Sequence, residues 1–356
     1  MSIVQLARPE IRSLHAYEAA EQVDDTIRLN ANESPHRCAI GDFRRPLNRY
    51  PEVRPSKLQQ ALAERFGCPP RQLLVTRGSS EAIDLLIRTF CRAGADSMLV
   101  SSPSFSMYRH YAEIQGARVI EVPASAEQDF AIDVDHVLAA CDETTRLIFI
   151  CSPNNPTGTT LPRPDLERLL RERGDKSVVV VDEAYVEFGG EASVIELLDR
   201  FDNLVVLRTL SKALGLAGAR CGGVAGPRPV IDLLNAVQAP YALATPVVEC
   251  VEDALRADHL ETARANVSVI VAERERLADA LRDFDIVTRV WPSDANFLLV
   301  RFVDAAAVMR RCAAQKVLLR HFGGVLEDCI RISIGTREEN DTLLRTLESI
   351  DGDSHG

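Results

Sequence analysis

The chain has 356 residues, 46% hydrophobic and 26% charged, an ordinary globular composition that excludes a disordered, collagen-like or coiled-coil protein. Its 41 basic and 52 acidic side chains leave a net charge of −11, which disfavours nucleic-acid phosphates and anionic membrane surfaces as partners but not a local basic pocket for a small anion. Nine cysteines, at 38, 68, 91, 141, 151, 221, 250, 312 and 329, include no Cys-x-x-Cys pair, so neither a disulfide framework nor a metal site is expected.

Residues 1–50 are rich in polar and turn residues, with Pro35, Pro46 and Pro51 breaking any long element, and read as an N-terminal arm. Arg8, Glu10 and Arg12 stand where an export signal would need an apolar stretch, and no run approaches the ~18 apolar residues of a membrane span. A cytoplasmic protein is the expectation. A helix is predicted over 57–66, stopped by Gly67, Pro69 and Pro70. Strand and helix then alternate: strands near 73–75, 98–100, 119–120, 147–150, 178–181 and 204–207, with helices near 83–90, 106–115 and 165–173. Several of these strands are unbroken apolar runs, as expected where helices cover both faces of a mostly parallel sheet. This predicts a three-layer α/β/α domain over 51–265. From about residue 266 the pattern changes to a long amphipathic helix at 269–284, short strands at 287–290, 297–300, 317–320 and 330–334, and helices at 305–315 and 338–350. A smaller α+β domain is expected over 266–356.

Open parallel sheets bind ligands beyond the carboxyl ends of their strands, so the residues after each strand are the candidates. Gly78-Ser79-Ser80 lies between strand and helix, where backbone N–H groups and hydroxyls can hold a phosphate, although small residues at such a turn often only cap the helix. Ser152-Pro153-Asn154-Asn155-Pro156-Thr157-Gly158 specifies a rigid turn. Asp182-Glu183-Ala184-Tyr185 ends the apolar run 178–181; a carboxylate there needs a cation or hydrogen-bond donor, or else caps a helix. In Thr209-Leu210-Ser211-Lys212-Ala213, a lysine precedes an apolar, glycine-containing segment that ends in Arg220. Desolvation and Arg220 would both depress its pKa, making it a candidate Schiff-base amine; a surface lysine is the alternative.

Taken in order with their separations, the motifs at 152, 182 and 209 resemble the fold type I pyridoxal-phosphate aminotransferases of class I/II. Leu29-Asn30-Ala31-Asn32-Glu33-Ser34-Pro35, Arg49-Tyr50-Pro51, Ser104-Phe105-Ser106-Met107-Tyr108 and Arg331-Ile332-Ser333-Ile334-Gly335-Thr336 further resemble the histidinol-phosphate aminotransferase subfamily. The likeness spans roughly residues 14–350.

This resemblance implies pyridoxal 5'-phosphate as cofactor, with Lys212 joined to its aldehyde and later moving a proton, and Asp182 paired with its ring nitrogen. It also implies Asn155 and Tyr185 at the ring oxygen and Tyr108 stacked on the ring. Ser79, Ser80, Thr209, Ser211 and Arg220 would hold the phosphate, joined by Tyr50 from a second subunit, so a homodimer with shared sites is implied. Arg331 would take the carboxylate of glutamate or the phosphate of histidinol phosphate, with Arg320 as a second cation and Tyr17 covering the substrate. The implied reaction exchanges an amino group between histidinol phosphate and 2-oxoglutarate, giving imidazole-acetol phosphate and glutamate in histidine biosynthesis. Two departures bear on the substrate: Ala16 stands where proline commonly precedes the tyrosine, and the loop from Arg320 to Arg331 is short. An aromatic amino-acid aminotransferase, a decarboxylase of a phosphorylated amino acid and a non-catalytic cofactor-binding module are the alternatives.

Overall fold

A computed structural model describes residues 3–15 and 44–353 of the chain. The larger sheet has seven strands: β1 (Leu73–Thr76), β2 (Ser97–Ser102), β3 (Arg118–Pro123), β4 (Thr145–Cys151), β5 (Val178–Asp182), β6 (Leu204–Thr209) and β7 (Gly222–Ala225). Their order is β1-β7-β6-β5-β4-β2-β3. The pairs β3/β2, β2/β4, β4/β5 and β5/β6 are parallel, and β7 runs antiparallel to both of its neighbours.

The predicted apolar runs form the centre of this sheet for a simple reason. In β5, Val179 and Val181 enter one buried cluster and Val178 and Val180 the other. Both faces are therefore dry, and full burial of each valine stabilises by about 1.5–3 kcal/mol. The first cluster receives helices α2 (Ser56–Phe66), α5 (Val134–Ala140), α6 (Arg163–Arg173) and α8 (Thr245–Ala254). The second receives α1 (Pro9–Arg12), α3 (Gly78–Phe90), α4 (Met107–Gln115) and α7 (Arg228–Val237). The three-layer α/β architecture is as the sequence predicts.

A second, antiparallel sheet of order β10-β11-β9-β8 is built from β8 (Val287–Val290), β9 (Phe297–Phe302), β10 (Arg320–His321) and β11 (Cys329–Ser333). Helices α9 (Ala257–Leu281), α10 (Ala305–Ala314) and α11 (Arg337–Asp353) pack on it around Leu277, Leu281, Val308 and Leu347. Asp304 caps α10 by accepting from the Ala307 N–H at 2.8 Å.

The structure departs from the sequence reading in several elements. The long helix starts at Ala257 rather than 269, and the strand expected over 317–320 is reduced to Arg320–His321. Arg331 lies within β11, inside the strand expected over 330–334. Strand β7 and helices α5, α7 and α8 carry no element in the sequence reading. β7 reads as Gly-Gly-Val-Ala, without an apolar run to announce it, and its first glycine answers a packing demand: a Cβ on Gly222 would lie 2.5 Å from the Arg208 carbonyl oxygen and 3.2 Å from Gly78 Cα. That close approach brings the start of α3 against the end of β6. Among the described residues no helix is long and apolar enough to cross a membrane, and no cluster of His, Cys, Asp and Glu could hold a metal.

Candidate active site

Strands β4, β5 and β6 are neighbours, and their register aligns Cys151 with Asp182 and Asp182 with Leu207. Their C-terminal loops therefore emerge side by side, and a cleft of about 740 Å³ opens over them. Ser79, Ser80, Tyr108, Asn155, Asp182, Tyr185, Thr209, Ser211, Lys212, Arg220, Arg320 and Arg331 all line this cleft. Tyr50 does not: it is 51% exposed on the surface, with its ring stacked on Tyr241 at 4.7 Å. Tyr17 and the segment 29–35 lie outside the described residues.

Asp182 is buried at the end of β5. It accepts hydrogen bonds from the Tyr108 hydroxyl at 2.8 Å and the Ala184 N–H at 3.1 Å. Burial raises its pKa to about 6 against the opposing pull of those donors and of Lys212. A carboxylate held this way suits a cation supplied by a ligand. The Tyr108 ring stacks on Phe149 at 4.8 Å while its hydroxyl serves Asp182. A buried phenol needs such a partner.

Lys212 opens onto the cleft, and the surrounding walls desolvate its amine. Its pKa is lowered by that desolvation first, then by Arg331 and Arg220, while Asp182 pulls the other way. The sequence anticipates the desolvation and Arg220 but not Arg331. The amine lies 5.5 Å from the centre of the Tyr185 ring. Arg331 donates to Asn155 Oδ1, and Asn155 Nδ2 donates to the Tyr185 hydroxyl at 3.3 Å. Desolvation raises the Tyr185 pKa. One chain of polar contacts thus runs from the second sheet to the lysine's neighbour.

At the start of α3 no side chain caps the helix, so the first N–H groups at Ser79 and Ser80 face a cleft that also holds Thr209, Ser211 and Arg220. Gly78 has φ +72°, and a Cβ there would lie 2.9 Å from Arg220 Nη2. The glycine therefore lets the guanidinium settle over the helix terminus. Thr209 Oγ1 donates to Ser211 Oγ at 2.9 Å and accepts from the Ser211 N–H at 3.2 Å. Hydroxyls, a helix N-terminus and an arginine form a cradle suited to a phosphate. With the amine of Lys212 and the carboxylate of Asp182, this donor set fits a phosphorylated aldehyde that carries a basic ring nitrogen.

Arg331 is half-buried, and its Nε has no hydrogen-bond partner. Its pKa is lowered by desolvation first, with Tyr185 opposing and Arg320 adding to the effect. Arg331 lines the cleft, and its guanidinium is suited to an anionic ligand there.

Sequence reasoning missed the support behind these groups. Glu183 is buried and accepts from Ser193 and from the Val194 N–H at 2.7 Å. Arg208, also buried, approaches Glu183 at 3.5 Å and Glu187 at 2.5 Å and lies over the Phe66 ring at 4.9 Å. The pair ties the segment after β5 to the strand that leads to Lys212. An arginine inside the apolar run Leu204–Leu207 and Thr209 was the available signal. Replacing Arg208 by Met is expected to cost about 3–5 kcal/mol, because Glu183 keeps its burial and loses its cation. Burial already raises the Glu183 pKa, so denaturant unfolding should show the larger loss at higher pH, where Glu183 must stay charged.

The family model for aminotransferase class I and II matches residues 18–347. The chain is 43% identical to histidinol-phosphate aminotransferase of Xylella fastidiosa (strain 9a5c), over 98% of this chain and 97% of that protein. It is 41% identical to the protein of that name from Pectobacterium carotovorum subsp. carotovorum (strain PC1), over 99% of both. Its fold is similar to that of the Sinorhizobium meliloti histidinol-phosphate aminotransferase solved in complex with pyridoxal-5'-phosphate, with a TM-score of 0.76, 24% identity and coverage of 85% of this chain and 84% of that one. The chain belongs to the class I and II aminotransferase family.

Proposed function

We propose that this chain is a pyridoxal-phosphate-dependent aminotransferase that exchanges an amino group between histidinol phosphate and 2-oxoglutarate, a reading supported by relatives named histidinol-phosphate aminotransferase. One observation carries the substrate reading. The cleft that contains Lys212 and Asp182 also contains Arg320 and Arg331, directly opposite one another across β10 and β11. Two such cations suit a phosphate monoester, and Arg331 alone suits the carboxylate of glutamate.

When bound, the cofactor supplies an aldehyde that joins amines and a ring that takes up the electron pair left at the substrate's α-carbon. Lys212 would take the proton from that carbon as general base, and its depressed pKa favours the neutral amine the task needs. Asp182 would pair with the cofactor's protonated ring nitrogen. Asn155 and Tyr185 would hydrogen-bond the ring oxygen, Tyr108 would stack on the ring, and Ser79, Ser80, Thr209, Ser211 and Arg220 would hold the phosphate. The resemblance assigns the cover of the substrate to Tyr17, which lies outside the described residues.

The division into an arm over 1–50, a large domain over 51–265 and a small domain over 266–356 belongs to the same reading, as does a cytoplasmic homodimer. Tyr50, exposed in a single chain, would reach the cofactor phosphate of the partner subunit; sedimentation as a monomer at micromolar concentration would count against this.

Parallel half-reactions test the substrate. Histidinol phosphate should convert the bound cofactor rapidly, and fast conversion by phenylalanine with none by histidinol phosphate would sink the assignment. Carbon dioxide release from a phosphorylated amino acid would point to the decarboxylase alternative.

The pH dependence of Lys212 gives a separate check. In the cofactor-stripped protein, its acylation by an amine-selective reagent should titrate below the ordinary lysine value of 10.5. Arg331→Gln removes one of the repelling cations, so the midpoint should move to higher pH.

A further inference from the structure

Arg320 and Arg331 are cross-strand partners in the β10/β11 ladder. Like charges directly opposite one another destabilise a sheet. Among the described residues neither arginine has a carboxylate partner, and Arg331 spends its one side-chain bond on the amide of Asn155. Something other than neutralisation holds the two guanidinium groups together.

The aromatic ring of Phe322 fills that position. The Arg320 Cζ lies 5.6 Å from its centre and the Arg331 Cζ 5.9 Å from the same centre. Both cations therefore share one π-system, which attracts each without cancelling its charge. The ring is itself fixed. It packs against the buried cluster of Phe130, Trp291, Leu299, Leu326 and Cys329, which joins the segment after β3 to the second sheet. Phe322 also lines the cleft, as do both arginines.

We propose that Phe322 is a specificity-determining positioning residue: its ring spaces the Arg320 and Arg331 guanidinium groups so that together they take two oxygens of a tetrahedral phosphate dianion. This rests on the reading of the two arginines as the phosphate site. An aliphatic side chain of similar bulk would keep the apolar packing but remove the one ring the two cations share, leaving Arg320 without it and Arg331 with only the Phe297 ring at 5.3 Å. They would separate, and a dianion would lose more than a carboxylate held by Arg331 alone.

The test uses cofactor-loaded protein, in which the cradle at Ser79 and Arg220 is filled, with inorganic phosphate as the probe against the glutamate half-reaction. Phe322→Leu should raise both the inhibition constant for phosphate and the KM for histidinol phosphate about tenfold. The kcat should stay within about twofold, and the KM for glutamate should rise by less than the KM for histidinol phosphate. Phe322→Tyr, which keeps the ring, should restore both constants to near wild type. Constants unchanged in the Leu variant, or no rescue by Tyr, would overturn the role of Phe322. So would a fall in kcat together with the unfolding midpoint, since that marks a purely structural residue. If wild-type protein is insensitive to phosphate and Arg320→Gln leaves the KM for histidinol phosphate unmoved, the phosphate reading itself fails and takes this proposal with it.

Discussion

Lys212→Ala should lower transamination by about 10,000-fold or more, because the covalent link to the cofactor and the proton carrier vanish together. The structure gives grounds to expect an intact fold in this variant. Lys212 opens onto the cleft, and the packing of its loop depends on Leu210 and Ala213, which are buried. Far-ultraviolet circular dichroism and the urea midpoint should match wild type while turnover disappears. Borohydride reduction of cofactor-loaded wild type should fix the label on the peptide containing Lys212. Turnover within tenfold of wild type, or a label on another lysine, would refute the assignment at its centre.

Asp182→Asn should move affinity and stability in opposite directions. The carboxylate is buried, and burial lifts its pKa from 3.8 to about 6. A carboxylate lifted in the folded state binds protons there that the unfolded chain has released, so the native protein loses stability as pH rises from about 4 to about 6. The difference between the two pKa values corresponds to about 3 kcal/mol at neutral pH. Asparagine can still accept from the Tyr108 hydroxyl and carries no charge to desolvate. In the absence of cofactor, the Asn variant should therefore resist urea better than wild type at pH 8 and equal it near pH 4. Its affinity for the cofactor should fall about 100-fold, since a protonated ring nitrogen would lose its counter-ion. Equal affinity in the two proteins would reduce Asp182 to a cap for the Ala184 N–H. A variant less stable than wild type at pH 8 would mean that the charge is already compensated inside the protein.

The parts of the site that were legible in the sequence are those written in contiguous residues. Four valines followed by Asp182 announce a buried strand and the charged group at its end, and the turns at 152–158 and 209–212 follow strands of the same kind. The illegible parts depend on chain folding over long separations. Tyr108 meets Asp182 across 74 residues and Arg331 meets Asn155 across 176. No local pattern encodes such contacts. The facing of Arg320 and Arg331 is set by a strand of only two residues, too short for period-two alternation to register. β7 escaped because its glycines serve close approaches, Gly222 to the start of α3 and Gly223 to β1 and Phe66, rather than an apolar face. The Arg208 and Glu183 pair was hidden because a charged residue in an apolar strand gives no sign of its partner.

Residues lining the cleft are drawn from Ser79 through Arg331, with contributions from both sheets. A stretch excised around the lysine and the carboxylate, residues 182–212, would carry the reactive groups but neither the helix terminus that receives one anion nor the strand pair that receives the other. The chemistry therefore has no minimal peptide: a proteolytic cut followed by separation of the pieces, anywhere between those two residues, leaves fragments that each hold only part of the cleft.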